Sequence, residues 1–216
     1  GPKNYLLHWA AEWQPLLAPP GATSEELRAQ VRELRGRERQ EATLRYANAL
    51  IRDMAQAEAE EDTRGMRRAR REFRRVLRRL ARVRGDLAAV RDFIDLLASW
   101  RLGEERAQRL AERFTGRHEE PRELHGLAWM ILGELQLEAE DLNDAATSFR
   151  YLMGDLEHPL YPFALWRTAE IHGARGEESE QRELQEQLVR MGCDPDVREE
   201  TAMVAAAVAR EAGIPR

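Results

Sequence analysis

Cysteine is almost absent from this 216-residue chain, because Cys193 is the only one. A single cysteine excludes an internal disulfide framework and a zinc site built from four cysteines. The sequence also lacks any run of about 18 apolar residues, so it predicts no membrane-spanning segment. At this length the chain can bury a hydrophobic core without a disulfide or a metal.

Lysine is nearly missing too, since Lys3 is the only one and all other basic residues are arginines. Charged residues make up 34% of the chain, above the usual level of about 25%, and hydrophobic residues 43%, which excludes a disordered composition. The net charge of −5 is unevenly placed. Residues 1–62 carry −3, residues 63–115 carry +9 and residues 116–216 carry −11.

The residue constellations of enzymes are lacking as well. There is no glycine-rich phosphate loop and no Gly-x-Ser-x-Gly motif. The histidines have no metal-binding spacing supported by a third ligand; they are His8, His118, His125, His158 and His172. Cys193 has no basic neighbour in sequence, which favours a small packed residue over a nucleophile. We therefore expect no enzyme, with no catalytic, cofactor-binding or metal-binding residues.

The N-terminal residues carry two separate expectations. Gly1-Pro2 is typical of a scar left by tag removal, and the chain then starts at Lys3, so we expect an upstream signal, anchor or domain. Residues 3–22 form an aromatic segment that ends at a Pro-Pro-Gly turn, with Tyr5, Trp9 and Trp13 one helical turn apart. This segment is either a helix docked on the first helix pair or an arm that contacts another copy or a partner.

Helical periodicity dominates what is present. Thr23 or Ser24 caps a first helix, with Glu25 and Glu26 in the first turn, where the helix dipole favours acidic residues. Glycine-centred turn signals then divide the chain into blocks in which apolar residues recur every three or four positions. No alternating strand pattern occurs. The sequence predicts an all-α protein of about ten helices, and the short links predict antiparallel neighbours.

Residues 66–97 contain a heptad-like series of apolar residues. Its members are Met66, Ala69, Phe73, Val76, Leu80, Val83, Leu87, Val90, Ile94 and Leu97. One interpretation is a coiled coil, which needs a continuous helix through Gly85-Asp86 at a cost of about 1 kcal/mol for the glycine. The other, which we favour, is two helices hinged at Gly85-Asp86, each burying one apolar stripe.

The clearest repeat signal lies at residues 126–159. Trp129, Leu132-Gly133, Ala145, Phe149 and Pro159 follow one another at fixed spacing. Gly133 and Ala145 are small enough for two antiparallel helices to cross closely, and Pro159 is expected to stop the second helix. This pattern resembles the tetratricopeptide repeat. It departs from that repeat at residue 136, where glutamine replaces tyrosine, and in its 36-residue spacing.

A second unit aligns 36 residues later. Ala128, Gly133-Glu134 and Glu140-Asp141 correspond to Ala164, Ala169-Glu170 and Gly176-Glu177. Residues 86–115 are a further candidate pair, turning at Leu102-Gly103, and residues 196–212 a terminal capping helix. We therefore expect divergent hairpins with an arginine-rich helix at 23–115, and tetratricopeptide-like repeats with a cap at 116–216.

The resemblance implies a stacked α-solenoid that binds proteins, with a groove lined by the first helix of each unit. Carried over to this chain, Met130, Glu134 and Glu138 come from one unit, and Trp166 and Glu170 from the next. An exposed tryptophan beside carboxylates suits a partly apolar, basic peptide. The alternative is that Trp166 packs on the neighbouring repeat.

The linking segment at residues 158–166 extends the resemblance. It reads His-Pro-Leu-Tyr-Pro-Phe-Ala-Leu-Trp and is similar to links in bacterial envelope proteins of the TolA-binding and outer-membrane-assembly type. This likeness implies a scaffold or adaptor in a larger bacterial complex. It favours the periplasm or cell envelope, with the cytoplasm as the alternative.

The segment from Arg64 to Arg84 contains eleven arginines and a single acidic residue, Glu72. The predicted basic surface comprises Arg67, Arg68, Arg71, Arg74, Arg75, Arg78, Arg79 and Arg82. We interpret it as a solvated face, or one complementary to the acidic repeats of the same or another copy, which would make a homo-oligomer. An acidic protein partner is the next alternative. Nucleic acid or anionic lipid is less favoured, because the whole chain is acidic and only Phe73 interleaves the arginines.

The acidic residues just before this helix, between residues 58 and 62, offer one further alternative. They could form an intramolecular clamp on the arginines. The preferred reading of the whole sequence remains a non-enzymatic interaction scaffold. A coiled-coil oligomerisation module and a nucleic-acid or lipid binder are its rivals.

Overall fold

The computed structural model describes residues 22–154, 156, 158, 160–193 and 199–214. Over these residues the regular structure is helical and no strand occurs, so the all-α prediction is confirmed. The helices are α1 (Ser24–Glu33), α2 (Gly36–Ala59), α3 (Thr63–Leu80), α4 (Leu87–Arg101), α5 (Ala107–Thr115), α6 (Arg122–Glu138), α7 (Leu142–Met153), α8 (Tyr161–Ala174), α9 (Glu178–Gly192) and α10 (Glu199–Ala212).

The chain divides into two compact units, which we call unit 1 (Gly1–Ala128) and unit 2 (Trp129–Arg216). Helices α1 to α5 belong to unit 1 and α7 to α10 to unit 2, while the sequence of α6 contributes to both. Each unit buries its own core of leucine, alanine and aromatic side chains. The division falls inside α6, 13 residues later than the boundary at residue 116 that the sequence predicts.

The first helix of unit 1 begins as the sequence predicts. Thr23 caps α1 in a capping box, in which its hydroxyl accepts a hydrogen bond from the Glu26 amide at 3.2 Å and the Glu26 carboxylate accepts one from the Thr23 amide at 2.9 Å. These two bonds satisfy amide groups that a helix start otherwise leaves unpaired. Leu27 and Val31 then face the core.

The heptad-like series belongs to two helices rather than to one. Helix α3 ends at Leu80 and α4 begins at Leu87, with Gly85 between them at a φ of +69°. The continuous helix that a coiled coil needs is therefore not formed, and the hinged alternative is confirmed. The apolar residues of the series still point inward: Phe73, Val76 and Ile94 are each at most 3% exposed.

Helices α4 and α5 form the hairpin predicted at residues 86–115. The chain turns at Leu102-Gly103, and the rings of Phe93 and Phe114 meet edge-on with centroids 5.6 Å apart. Ala107 is buried, whereas Leu110 is only half-buried. Glu104, just after the turn, accepts a hydrogen bond from Arg70 of α3 at 2.7 Å and so ties the hairpin to that helix.

A single type of turn ends every second helix. After α2, α4, α6, α8 and α10 one residue adopts the left-handed conformation; these residues are Glu61, Gly103, Glu140, Gly176 and Gly213, with φ between 56° and 75°. At each, the amide of the following residue donates to the carbonyl five positions earlier, as in the bond from Asp141 to Gln136 at 2.9 Å. This is the Schellman arrangement. The spacings of 42, 37, 36 and 37 residues show that the hairpin is the repeating element of the described chain.

In unit 2, α6 and α7 run antiparallel with close contact. The Phe149 ring fills the space beside Gly133, Ser148 donates to the Gln136 side chain at 2.6 Å, and the Trp129 and Tyr151 rings stack with centroids 4.7 Å apart. Gln136, which departs from the repeat pattern, thus takes part in a buried hydrogen bond between the two helices. Trp129 itself is half-buried.

Helices α8, α9 and α10 pack as successive antiparallel neighbours. The Gln187 amide of α9 donates to the Tyr161 hydroxyl of α8 at 2.8 Å, and Gly192 of α9 abuts Ala205 of α10. The predicted helix stop at Pro159, the aromatic residues of 3–21 and the start of the predicted cap at 196–198 lie outside the described residues.

Candidate protein-interaction site

A groove of about 600 Å³ lies in unit 2 where α8, α9 and α10 meet. We call it the unit-2 groove. Its lining combines one aromatic ring and two small apolar side chains with polar and charged groups: Trp166, Glu170, Glu178, Gln181, Arg182, Gln185, Val208 and Ala212. Five of these eight side chains are polar or charged, so the groove offers another molecule mainly polar contacts around one aromatic ring.

Trp166 lines the groove and is half-buried. Its ring packs against the core cluster of α8, α9 and α10, and it meets the edge of Phe163 with centroids 5.5 Å apart. The Arg167 guanidinium lies 4.9 Å from the Trp166 ring centroid. The groove that the sequence predicts is lined by the first helix of each repeat, whereas this one is lined by α8, α9 and α10. Trp166 packs on neighbouring helices and also lines this groove.

Arg167, next to Trp166 in the chain, forms ion pairs with two carboxylates. Its Nε donates to Glu134 Oε1 at 2.6 Å and its Nη2 to Glu134 Oε2 at 2.7 Å, while its Nη1 donates to Glu170 Oε2 at 2.5 Å. One guanidinium therefore holds a carboxylate from α6 and another from its own helix. The paired geometry on Glu134 is the strong, bidentate kind that arginine forms with carboxylates.

Burial governs the electrostatics of this pair. Desolvation raises the pKa of Glu134, and the hydrogen bonds and charge of Arg167 offset part of that rise. Desolvation also acts against the Arg167 cation, but the bonds to Glu134 and Glu170 raise the pKa of Arg167 above its usual value. Arg167 thus neutralises the charge of Glu134 and Glu170, which the sequence predicts in the groove. Glu178 of α9 is an exposed carboxylate of the lining.

The predicted binding residues take different positions. Trp166 and Glu170 line the groove together, and Glu138 is exposed at the end of α6. Glu134 is only 5% exposed because it is bound by Arg167, and Met130 is fully buried in the core. Met130 faces inward because it belongs to the apolar stripe of α6, so we leave it and Glu134 out of the proposed binding surface.

Arg167 was not predicted from the sequence. Two spacings indicate it: Arg167 lies three residues before Glu170, on the same helix face, and 33 residues after Glu134, which places it near Glu134 in the preceding repeat. Arginine beside tryptophan also favours a cation–π contact.

A second candidate surface is the outward side of α3 in unit 1. After Thr63, every exposed position of this helix is arginine. We call the eight predicted basic residues the arginine face: Arg67, Arg68, Arg71, Arg74, Arg75, Arg78, Arg79 and Arg82. Within the described residues only Arg75, with Glu72, and Arg74, at 4.0 Å from Glu104, have a carboxylate within ion-pair distance.

The acidic run before α3 does not clamp these arginines. Asp62 caps α3 by accepting from the Arg64 and Gly65 amides, Glu58 lies 3.6 Å from Arg101, and Glu60 accepts from Gln56. The acidic residues therefore serve the helix start and other neighbours. The predicted intramolecular clamp is not formed in the described part of the chain.

Neither a metal cluster nor a membrane-spanning helix occurs in the described ranges. No group of three or more histidine, cysteine, aspartate or glutamate side chains there could hold a metal ion. No helix in those ranges is long and apolar enough to cross a membrane.

Cys193 is exposed, contrary to the expectation that it is packed, because it lies at the C-terminal cap of α9.

Comparisons with protein-family models, with curated proteins and with solved structures find no match to this chain.

Proposed function

We propose that this protein is a non-enzymatic interaction scaffold of the tetratricopeptide-repeat type, and that the unit-2 groove holds a segment of a partner protein. The observation that carries the proposal is the position of Trp166, a large aromatic ring in the lining of a groove formed by three helices. Half-exposed tryptophans of this kind are common anchors at protein interfaces.

The repeated turns support the repeat-protein part of the proposal. In unit 2, the α6–α7 and α8–α9 turns share the same backbone hydrogen bonds at a spacing of 36 residues, as the aligned pairs Glu140-Asp141 and Gly176-Glu177 predict. Stacking of such hairpins into an α-solenoid would leave a continuous surface along their first helices. The close approach at Gly133 is the packing that the tetratricopeptide pattern requires.

The charges that line the groove limit the kinds of partner segment that fit it. Arg167 already neutralises Glu170, and Arg182 adds positive charge, so a run of basic residues is not the best fit. An extended or helical segment with one apolar or aromatic side chain on Trp166 and one basic side chain near Glu178 matches the lining better. The amides of Gln181 and Gln185 can bond its backbone.

A place in a bacterial complex, in the periplasm or cell envelope, belongs to the same proposal. Its support is the likeness of residues 158–166 to the links of envelope repeat proteins. The nucleic-acid alternative has one observation in its favour, the arginine face of α3.

A peptide selection tests the proposed function. The whole protein is immobilised and exposed to a random peptide library, and the enriched peptides are then tested on the Trp166→Ala variant. We expect enriched peptides that share an apolar anchor and a nearby basic residue, and that do not bind the variant. Peptides retained equally by both proteins would contradict a role for the groove. A variant of similar size change away from the groove, Tyr151→Ala, controls for general loss of an aromatic side chain.

A further inference from the structure

The arginine face carries charge that the described chain leaves largely uncompensated. Arg67, Arg71, Arg75 and Arg79 are successive neighbours four positions apart, and like charges at this spacing destabilise a helix. Helices α2 and α9 instead place Arg37 beside Glu41 and Arg182 beside Glu186. The buried stripe of Ala69, Phe73, Val76 and Leu80 therefore holds α3 in place against this repulsion.

A surface of opposite sign lies in unit 2. The Arg175 guanidinium donates to the Leu142 carbonyl at 3.0 Å and to the Asn143 side chain at 2.7 Å, which fixes the α8–α9 turn beside the α6–α7 turn. Exposed carboxylates collect at these two turns; they are Glu138, Glu140, Asp141, Asp144, Glu178 and Glu180. We call this set the acidic edge. Unit 2 as a whole has 8 basic and 18 acidic residues.

We infer that the arginine face binds the acidic edge of a second copy of this chain, which makes the protein self-associate through charge. Each copy carries both surfaces, so the interaction needs no other component. The planar arginine forks suit carboxylates, to which they can bond at two points. The carboxylates of the second copy would neutralise the arginines and so relieve the repulsion along α3.

Nucleic acid fits the same face less well. The exposed part of α3 has no aromatic side chain for base stacking. Carboxylates on a protein surface need no such aromatic contact to pair with the arginines. This inference does not rest on the unit-2 groove. Glu178 is the residue of the acidic edge that also lines the groove, and the charge-reversal variants leave it unchanged.

Sedimentation velocity of the whole protein at two salt concentrations tests the inference. At about 0.01 M salt the screening length is about 30 Å, and at about 1 M it is about 3 Å. We expect the average mass to rise above 24.9 kDa with protein concentration in low salt, and to stay at 24.9 kDa in high salt. The apparent dissociation constant should increase by at least about tenfold between the two conditions.

Charge reversal identifies the surfaces. The variant Arg71→Glu with Arg78→Glu should abolish association in low salt, as should Glu140→Arg with Glu180→Arg. Because the first variant keeps the acidic edge and the second keeps the arginine face, mixing these variants should restore a heterodimer. The variant Arg109→Glu with Arg113→Glu makes the same charge change on exposed positions of α5 and should associate like the wild type. Circular dichroism confirms that each variant is folded.

Three results would overturn the inference. The first is a monomer in low salt at every concentration. The second is association that survives reversal of the arginine face, or that the α5 control abolishes equally. The third is retention of a DNA duplex or of anionic vesicles by the arginine face without any self-association, which would assign the face to phosphates. If the unit-2 double variant fails to fold, Glu140→Arg alone in the mixing experiment decides.

Discussion

Phe149 occupies the space that a side chain at Gly133 would need. A Cβ atom added to Gly133 would lie 2.5 Å from Cε1 and 2.6 Å from Cζ of the Phe149 ring, and Phe149 is fully buried. A rigid ring with no exposure cannot turn away as a flexible side chain can. The small residue at position 133 is therefore required by the crossing of α6 and α7, as the repeat pattern predicts.

The substitution Gly133→Ala should lower the free energy of unfolding by roughly 1–3 kcal/mol, because it overpacks a filled site. Denaturant unfolding followed by circular dichroism measures the change. Gly173→Ala is the matched control. Its added Cβ meets only the end of the Gln181 side chain, which can move aside, so this variant should be neutral or slightly stabilised by its better helix propensity. Equal loss in both variants would contradict the crossing.

Glu140 and Gly176 occupy aligned positions in two of the left-handed turns, and substitutions at the two positions should change stability in opposite directions. Glu140 has a φ of 62°, a conformation that costs an L-residue about 1–2 kcal/mol. Glu140→Gly should therefore stabilise the protein by about 0.5–1 kcal/mol after the entropy of glycine is counted. Gly176→Ala, at a φ of 75° with open space around it, should destabilise by about 1 kcal/mol. The shift of the unfolding midpoint for each variant decides the matter.

Much of this architecture could be predicted from the sequence, since helical periodicity and turn residues are local signals. The hinge after α3, the hairpin turn at Gly103 and the crossing at Gly133 all follow from small residues at the right spacing. The turn at Glu61 was not predicted, because a glutamate in the left-handed conformation has no signature in one sequence. Only the backbone shows that it belongs to the same series as Gly103 and Gly176.

The candidate site was harder to predict for a physical reason. A repeat pattern states which helix face points to the groove, but it does not state which charges neutralise one another there. The sequence predicts Glu134 and Glu170 as groove carboxylates, but Arg167 forms an ion pair with each of them. Met130 fitted the groove pattern by position, yet its apolar side chain is better buried than exposed.

Arg167 should be important for stability as well. Arg167→Met leaves Glu134 buried without its partner, and we expect a loss of about 3–5 kcal/mol. Arg37→Met removes a comparable fork, to Asp86 at 2.6 and 3.2 Å, but both side chains are more than 60% exposed and the loss should be much smaller than for Arg167→Met. The double variant Arg167→Met with Glu134→Leu should recover most of the stability. Failure of the second change to compensate would show that Arg167 acts through packing alone.

Glu104 should make the protein sensitive to acid. Burial acts to raise its pKa, but the hydrogen bonds and charges of Arg106 and Arg70 outweigh that effect and lower it below 4.5. Stabilisation by this carboxylate is therefore fully present above pH 4.5, the unfolded value, and is lost as the pH falls through the folded-state pKa.

The substitution Glu104→Gln should lower the free energy of unfolding at neutral pH by about 1–2 kcal/mol. The difference from the wild type should shrink progressively below about pH 4.5, as urea unfolding at several pH values will show. Glu105→Gln, on an exposed neighbour, should change stability by less than about 0.5 kcal/mol throughout. A wild-type advantage that grows in acid would contradict the assignment.

The unit-2 groove is tested most directly by calorimetric titration of the best selected peptide into the wild type and into Trp166→Ala, each shown to be folded. If the groove holds the partner, the variant should bind at least about tenfold more weakly, a loss of about 1.4 kcal/mol. The control Tyr151→Ala should bind as the wild type does. Equal affinity of the wild type and Trp166→Ala would contradict a binding role for this groove.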